Sequence, residues 1–151
     1  MRDLATTLVE QPYEDTATTV TTPQWSDVIP IRGLSSRQIE AVIGALKTEN
    51  LPDNWDGYGS PPPPQRVVNI SIKLLEAIPF DDLPVPHVVP VSGGGIQIEW
   101  SIGQRELELE ILPDGSVEFL KAERGQPLEE GKLTSVASSQ VQSLLAWLIP
   151  G

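Results

Sequence analysis

The chain has no cysteine and a single histidine, His87. The first absence excludes disulfides, thiolate metal sites and a cysteine nucleophile. The second leaves a general-base scheme with one candidate, an imidazole between Pro86 and Val88 that reads as structural or exposed. Basic residues are scarce as well. Ten Lys and Arg stand against 21 Asp and Glu, a formal net charge of −11 with the bases scattered, so a phosphate backbone is repelled and direct nucleic-acid binding is not expected. No window approaches the ~20 apolar residues of a membrane span. The opening MRDLATTLVEQPYED carries early acids and no long apolar core, unlike a signal or transit peptide. These absences together suggest a cytoplasmic protein with no membrane association, no cofactor, no metal and no catalytic residue.

What is present is patterned. At 151 residues there is room for one modest domain. Residues 1–30 are rich in Thr and poor in apolar periodicity, so they read as a flexible tail, with a short ordered piece around Trp25 to Ile31; residues 31–151 read as a single domain. Ser35 followed by Gln38 is a capping-box pattern. Ile39, Val42, Ile43 and Leu46 then predict one buried stripe on a helix over 36–49. A second helix is expected over 64–78, opening at the last of four prolines and burying Val67, Val68, Ile72, Leu75 and Ile78. Val88, Val89 and Val91 suit an edge strand, because Pro86 and Pro90 remove ladder donors.

From Gly95 to Lys121 the period falls to two. Ile96, Ile98 and Trp100 alternate with Gln97, Glu99 and Ser101; Leu107, Leu109 and Ile111 alternate with Glu106, Glu108 and Glu110; Val117 and Phe119 flank Glu118. Such alternation marks antiparallel strands with one buried and one open face. Matching faces pairs Trp100 with Leu107 through a loop of Gly103-Gln104 or of Ile102 to Arg105, and pairs Ile111 with Val117 around Pro113-Asp114-Gly115. The stretch from Glu123 to Ser135 reads as a polar loop. A last helix over 136–149, capped by Ser135, buries Val141, Leu144, Leu145 and Leu148. The fold expected is α+β: two N-terminal helices, a three- to four-stranded antiparallel meander, and a C-terminal helix packed on one sheet face.

The same registers set Glu99 opposite Glu108 and Glu110 opposite Glu118. Like charges directly across a strand pair cost part of ~0.2–1 kcal/mol. A face that carries them is solvated, or meets a cationic protein; alternate residues on a flat sheet converge poorly on a metal ion. A second candidate is NWDGYGS, Asn54 to Ser60, where Trp55 and Tyr58 sit among turn residues. They form a recognition loop, aromatics being favoured at binding hot spots, or they plug the base of the domain. Ser92 to Gly95 reads as a flexible turn and not a phosphate cradle, with no basic residue just ahead of it.

NWDGYGSPPPP, a helix, LPVPHVVPVSGGGIQIEW, and the hairpin that follows it resemble a group of small bacterial proteins. In these a WDGYG element precedes a helix, and a Gly-rich turn leads to an (I/L)EW strand. The resemblance spans about residues 50–121 and implies no activity and no catalytic residue.

The expected function is therefore a non-catalytic acidic protein-binding module, antitoxin-, immunity- or chaperone-like. It would cover a basic protein partner through Glu99, Glu108, Glu110, Glu118, Trp55 and Tyr58. Two other readings stay open: a nucleic-acid mimic that inhibits a DNA- or RNA-binding protein, and an enzyme with a cryptic site around Asp53, Asp56, Tyr58 and His87. Nothing in the chain fixes an oligomeric state.

Overall fold

A computed structural model describes residues 33–79, 82–135 and 139–149. The Thr-rich segment 1–30 and the predicted start of the last helix lie outside them. The chain divides into Met1–Leu34 and Ser35–Gly151, and every element below belongs to the second.

Helix α1, Ser36–Lys47, opens on the expected capping box: Gln38 N donates to Ser35 Oγ (3.1 Å) and Ser35 N to Gln38 Oε1 (3.0 Å). A short 3-10 turn, Thr48–Asn50, ends it. The predicted stripe is corrected here. Gln38, Ala41, Val42 and Ala45 are buried, while Ile43 is 46% exposed. Two contacts turn the helix this way. The Gln38 amide nitrogen donates to the carbonyls of Leu75, Glu76 and Ile78, filling acceptors left open at the end of the next helix. Gly44 sits so close to the sheet that an added Cβ would lie 3.3 Å from Val88 Cβ. A buried hydrogen-bonding Gln and small residues that allow close approach outweigh one Ile.

Helix α2, Gln65–Ala77, follows Pro64 as N-cap and buries Val67, Val68, Ile72 and Leu75 as predicted, together with Ser71 and Leu74; the fifth predicted residue, Ile78, is buried as its C-cap. The sheet then runs β1 His87–Val91, β2 Gly95–Ile102, β3 Arg105–Ile111, β4 Val117–Glu123 and β5 Gln126–Leu133, in spatial order β1-β2-β3-β4-β5 and antiparallel throughout. Both predicted registers are present, with Trp100 opposite Leu107 and Ile111 opposite Val117. Ile102 pairs with Arg105, so the first loop is Gly103-Gln104, with Gly103 at φ 59°. The second is closed by Leu112 N donating to Ser116 O (2.8 Å), with Gly115 at φ 91°.

Five strands replace the three or four expected. Strand β5 lacks an apolar alternation because it is an edge strand, exposed along most of its length, and backbone pairing to β4 holds it. Its turn, Arg124-Gly125, has both φ values positive, 54° and 78°, as a type I′ hairpin requires. An Arg in the first position hides that signal.

Ile96, Ile98, Trp100, Leu107, Leu109, Ile111, Val117 and Phe119 are all buried on one face. Helix α3, Ser139–Leu148, adds Val141, Leu144, Leu145 and Leu148 to that core. Its Trp147 lies between two cations from the sheet, with Arg105 at 5.1 Å and Lys121 at 4.9 Å from the ring centroid, and the Arg105 guanidinium also donates to Trp147 O. Among the described residues no helix is long and apolar enough to cross a membrane.

The strand spacing at the start of β2 can be checked directly. A Cβ on Gly95 would stand 2.7 Å from the Ile111 carbonyl oxygen, so Gly95→Ala should destabilise the fold by about 1–3 kcal/mol in urea titrations. An unchanged midpoint would mean that β2 and β3 do not approach this closely.

Candidate functional site

Pleating puts the odd-numbered apolar residues of β3 inward and Glu106, Glu108 and Glu110 on the other face, where they are half-exposed. Two rows cross the whole sheet there. One runs His87, Glu99, Glu108, Leu120, Glu130; the other runs Val89, Gln97, Glu110, Glu118, Lys132. The facing pairs Glu99–Glu108 and Glu110–Glu118 are therefore real neighbours. Glu106 joins them, a residue not singled out from the sequence: carboxylate oxygens of Glu99, Glu106 and Glu108 all lie within 4.8 Å of one another. Burial, and then the charges of Glu99, Glu106 and Glu110, raise the Glu108 carboxyl above the usual glutamate range. The compensating cation of the second row, Lys132, stands at its β5 end.

The second candidate lies at the end of the sheet where the β1–β2 and β3–β4 turns meet; Pro61, Pro64 and Pro113 surround the Gly94 position at 3.6–3.8 Å. Asp56 organises it. Its carboxylate accepts from Ser60 Oγ (2.5 Å), Ser92 Oγ (2.6 Å), Tyr58 N (2.9 Å) and Ser60 N (3.2 Å). Gly93 N donates to Ser60 Oγ (2.9 Å), and Gly59 N to Asn54 Oδ1 (2.6 Å). The loop over 54–60 is thus tied to the Ser92–Gly94 turn. That turn, predicted flexible, is held by hydrogen bonds from Ser92 and Gly93. The serine hydroxyls, Ser60 first and then Ser92, hold the Asp56 carboxyl well below the usual carboxylate range.

The two aromatics of this loop part company. Trp55 is half-buried, its Nε1 donating to Pro61 O (2.9 Å), whereas Tyr58 is 89% exposed. Tyr58 is no plug. His87 does not join the loop: it sits five residues before Ser92, about 16 Å along an extended strand. The latch serines are a second feature that sequence reading missed. Ser60 and Ser92 are ordinary turn residues in isolation, and only their shared acceptor gives them a role.

No protein-family model, curated protein or solved structure matches the chain.

Two outcomes follow from these carboxylates. Glu108 takes up a proton more readily folded than unfolded. Its contribution to stability is thus fully present below its unfolded pKa and is lost as pH rises through the folded value. Glu108→Gln should then stabilise the chain at pH 7 by a fraction of ~0.2–1 kcal/mol in low salt, with the gain fading in acid and at high ionic strength. A loss of stability at pH 7 would remove the repulsion from the account. Asp56 has the opposite sign: its stabilisation is present above the unfolded pKa and lost as pH falls through the depressed folded value. Asp56→Asn should lower the melting temperature at pH 7 and flatten the acid limb below about pH 4. Superimposable melting curves across that range would show that the carboxylate does not hold the loop.

Proposed function

We propose that this chain is a non-catalytic, acidic partner-binding protein of the antitoxin, immunity or chaperone kind, working in the cytoplasm by covering a basic protein with the carboxylate face of its sheet. The observation that carries the reading is the like-charge facing of Glu99 with Glu108 and of Glu110 with Glu118 within a five-stranded sheet. A cationic surface laid on that face replaces repulsion with attraction. Its approach is accelerated by the chain's net charge of −11. A nucleic-acid mimic is the weaker reading, since it calls for carboxylates over a long surface and the facing pairs are confined to β2, β3 and β4. The enzyme reading is supported less well, because Asp56, one of its two acids, accepts four hydrogen bonds from within the protein.

The test is a double charge reversal, Glu99→Lys with Glu118→Lys. Glu99→Lys turns its pair with Glu108 into an opposite-charge one, and Glu118→Lys does the same with Glu110 while giving up its pairing with Lys132, so the fold should hold. Affinity for the purified native partner, identified by pull-down from the host, should fall at least about tenfold, and the salt dependence should weaken. Unaltered affinity would move the binding surface off this face.

A further inference from the structure

We infer that the loop over residues 54–60 is a preformed recognition loop, and that Tyr58 is the anchor it inserts into an apolar, basic-rimmed pocket of a protein partner. The inference rests on the partner-binding reading above but uses a different surface. Tyr58 is 89% exposed, far beyond the other large apolar residues left open among the described residues, of which the next is Leu128 at 54%. Its neighbours Gly57 and Gly59, at φ 80° and 86°, have no side chain to shade the ring. An exposed tyrosine on a mobile loop would need no explanation. This loop is not held loosely. Asn54 N donates to Ser60 O (2.7 Å), Gly57 N to Asn54 O (3.1 Å), and the Asp56 and Asn54 side chains fix the amides of Tyr58, Gly59 and Ser60.

The ordering cost of a binding loop is therefore met within the free protein, and the one large side chain at its tip has only two torsions to settle. The chemistry of the occupant follows from what surrounds the ring. The chain's net charge of −11 favours a cationic rim on the partner. Of the loop's polar groups, Asp56 and the Asn54 Oδ1 already accept hydrogen bonds from the loop's own amides and from Ser60 and Ser92, which leaves fewer to hold a sugar. A nucleic acid is repelled by the net charge of −11. A protein pocket remains.

The experiment replaces Tyr58 in the full chain by a photoreactive phenylalanine analogue and irradiates it in native host cells. The same analogue at Gln142, an exposed position on α3, is the control. The expected result is a discrete protein adduct at position 58 that the control lacks. That protein, purified, should bind Tyr58→Ala at least about tenfold more weakly than the wild type, with Tyr58→Phe between the two. The variants should melt with the wild type, since the ring is exposed. An adduct only with glycan, no adduct above control, or equal affinity of Tyr58→Ala would overturn the inference. Testing Glu99→Lys with Glu118→Lys against the same protein separates the two readings. Loss with the charge reversal alone leaves the sheet face as the site and removes Tyr58; loss with Tyr58→Ala alone does the reverse.

Discussion

The period of two along β2, β3 and β4 is the constraint on which this molecule turns. With eight apolar side chains inward and carboxylates outward, sliding one strand by a single residue would set Ile111 or Leu109 against water and drive Glu110 or Glu108 into the core. Each buried apolar side chain of this size contributes about 1.5–3 kcal/mol, so a slipped register is out of reach. The helices then have one place to go. The apolar stripes of α2 and α3, and the small-residue face of α1, all close over the same side. The opposite side is left to its charges.

Each end of the sheet is tied separately. At one end Asp56 joins the loop over 54–60 to the β1–β2 turn, and Arg66 Nη1 donates to Asp114 O (3.1 Å), fastening the β3–β4 turn to the start of α2. At the other, Arg124 N donates to Gln104 O (2.8 Å), joining the β2–β3 and β4–β5 turns, while Arg105 and Lys121 grip Trp147. These ties use local polar groups and leave the middle of the open face untouched.

How much of this could be read from residues alone depends on whether the signal was local. The strand registers and the two inner hairpins were legible because Trp100, Leu107, Ile111 and Val117 announce their face and their turns contain Gly103 and Gly115. The buried residues of α2 and α3 were legible for the same reason. Strand β5 was not, since an edge strand of QPLEEGKL is held by backbone bonds to β4 and has no apolar face to show. The rotation of α1 was hidden because it is decided by the partners of Gln38 and Gly44, which lie 37 to 44 residues away. At the candidate site the facing glutamates followed from register, whereas the addition of Glu106 and the latch through Ser92 required three dimensions.

Solubility alone does not require this pattern of charge. An exposed sheet face is kept soluble equally well by alternating signs, and opposite charges across a strand pair stabilise by ~0.2–1 kcal/mol where like charges cost a similar amount. This chain uses that arrangement at one place on the open face: Lys132 stands opposite Glu118 at the β4–β5 margin. The centre is built otherwise. From β2 to β4 the row through Glu99 and Glu108 has no base between His87 at one edge and Glu130 at the other, and Glu106 adds to the same patch. The result is a Glu108 whose ionisation is opposed by burial and then by its own neighbours. That cost is one a single Lys would relieve, as Lys132 does for Glu118 at the margin, and it is the feature on which the partner-binding proposal rests.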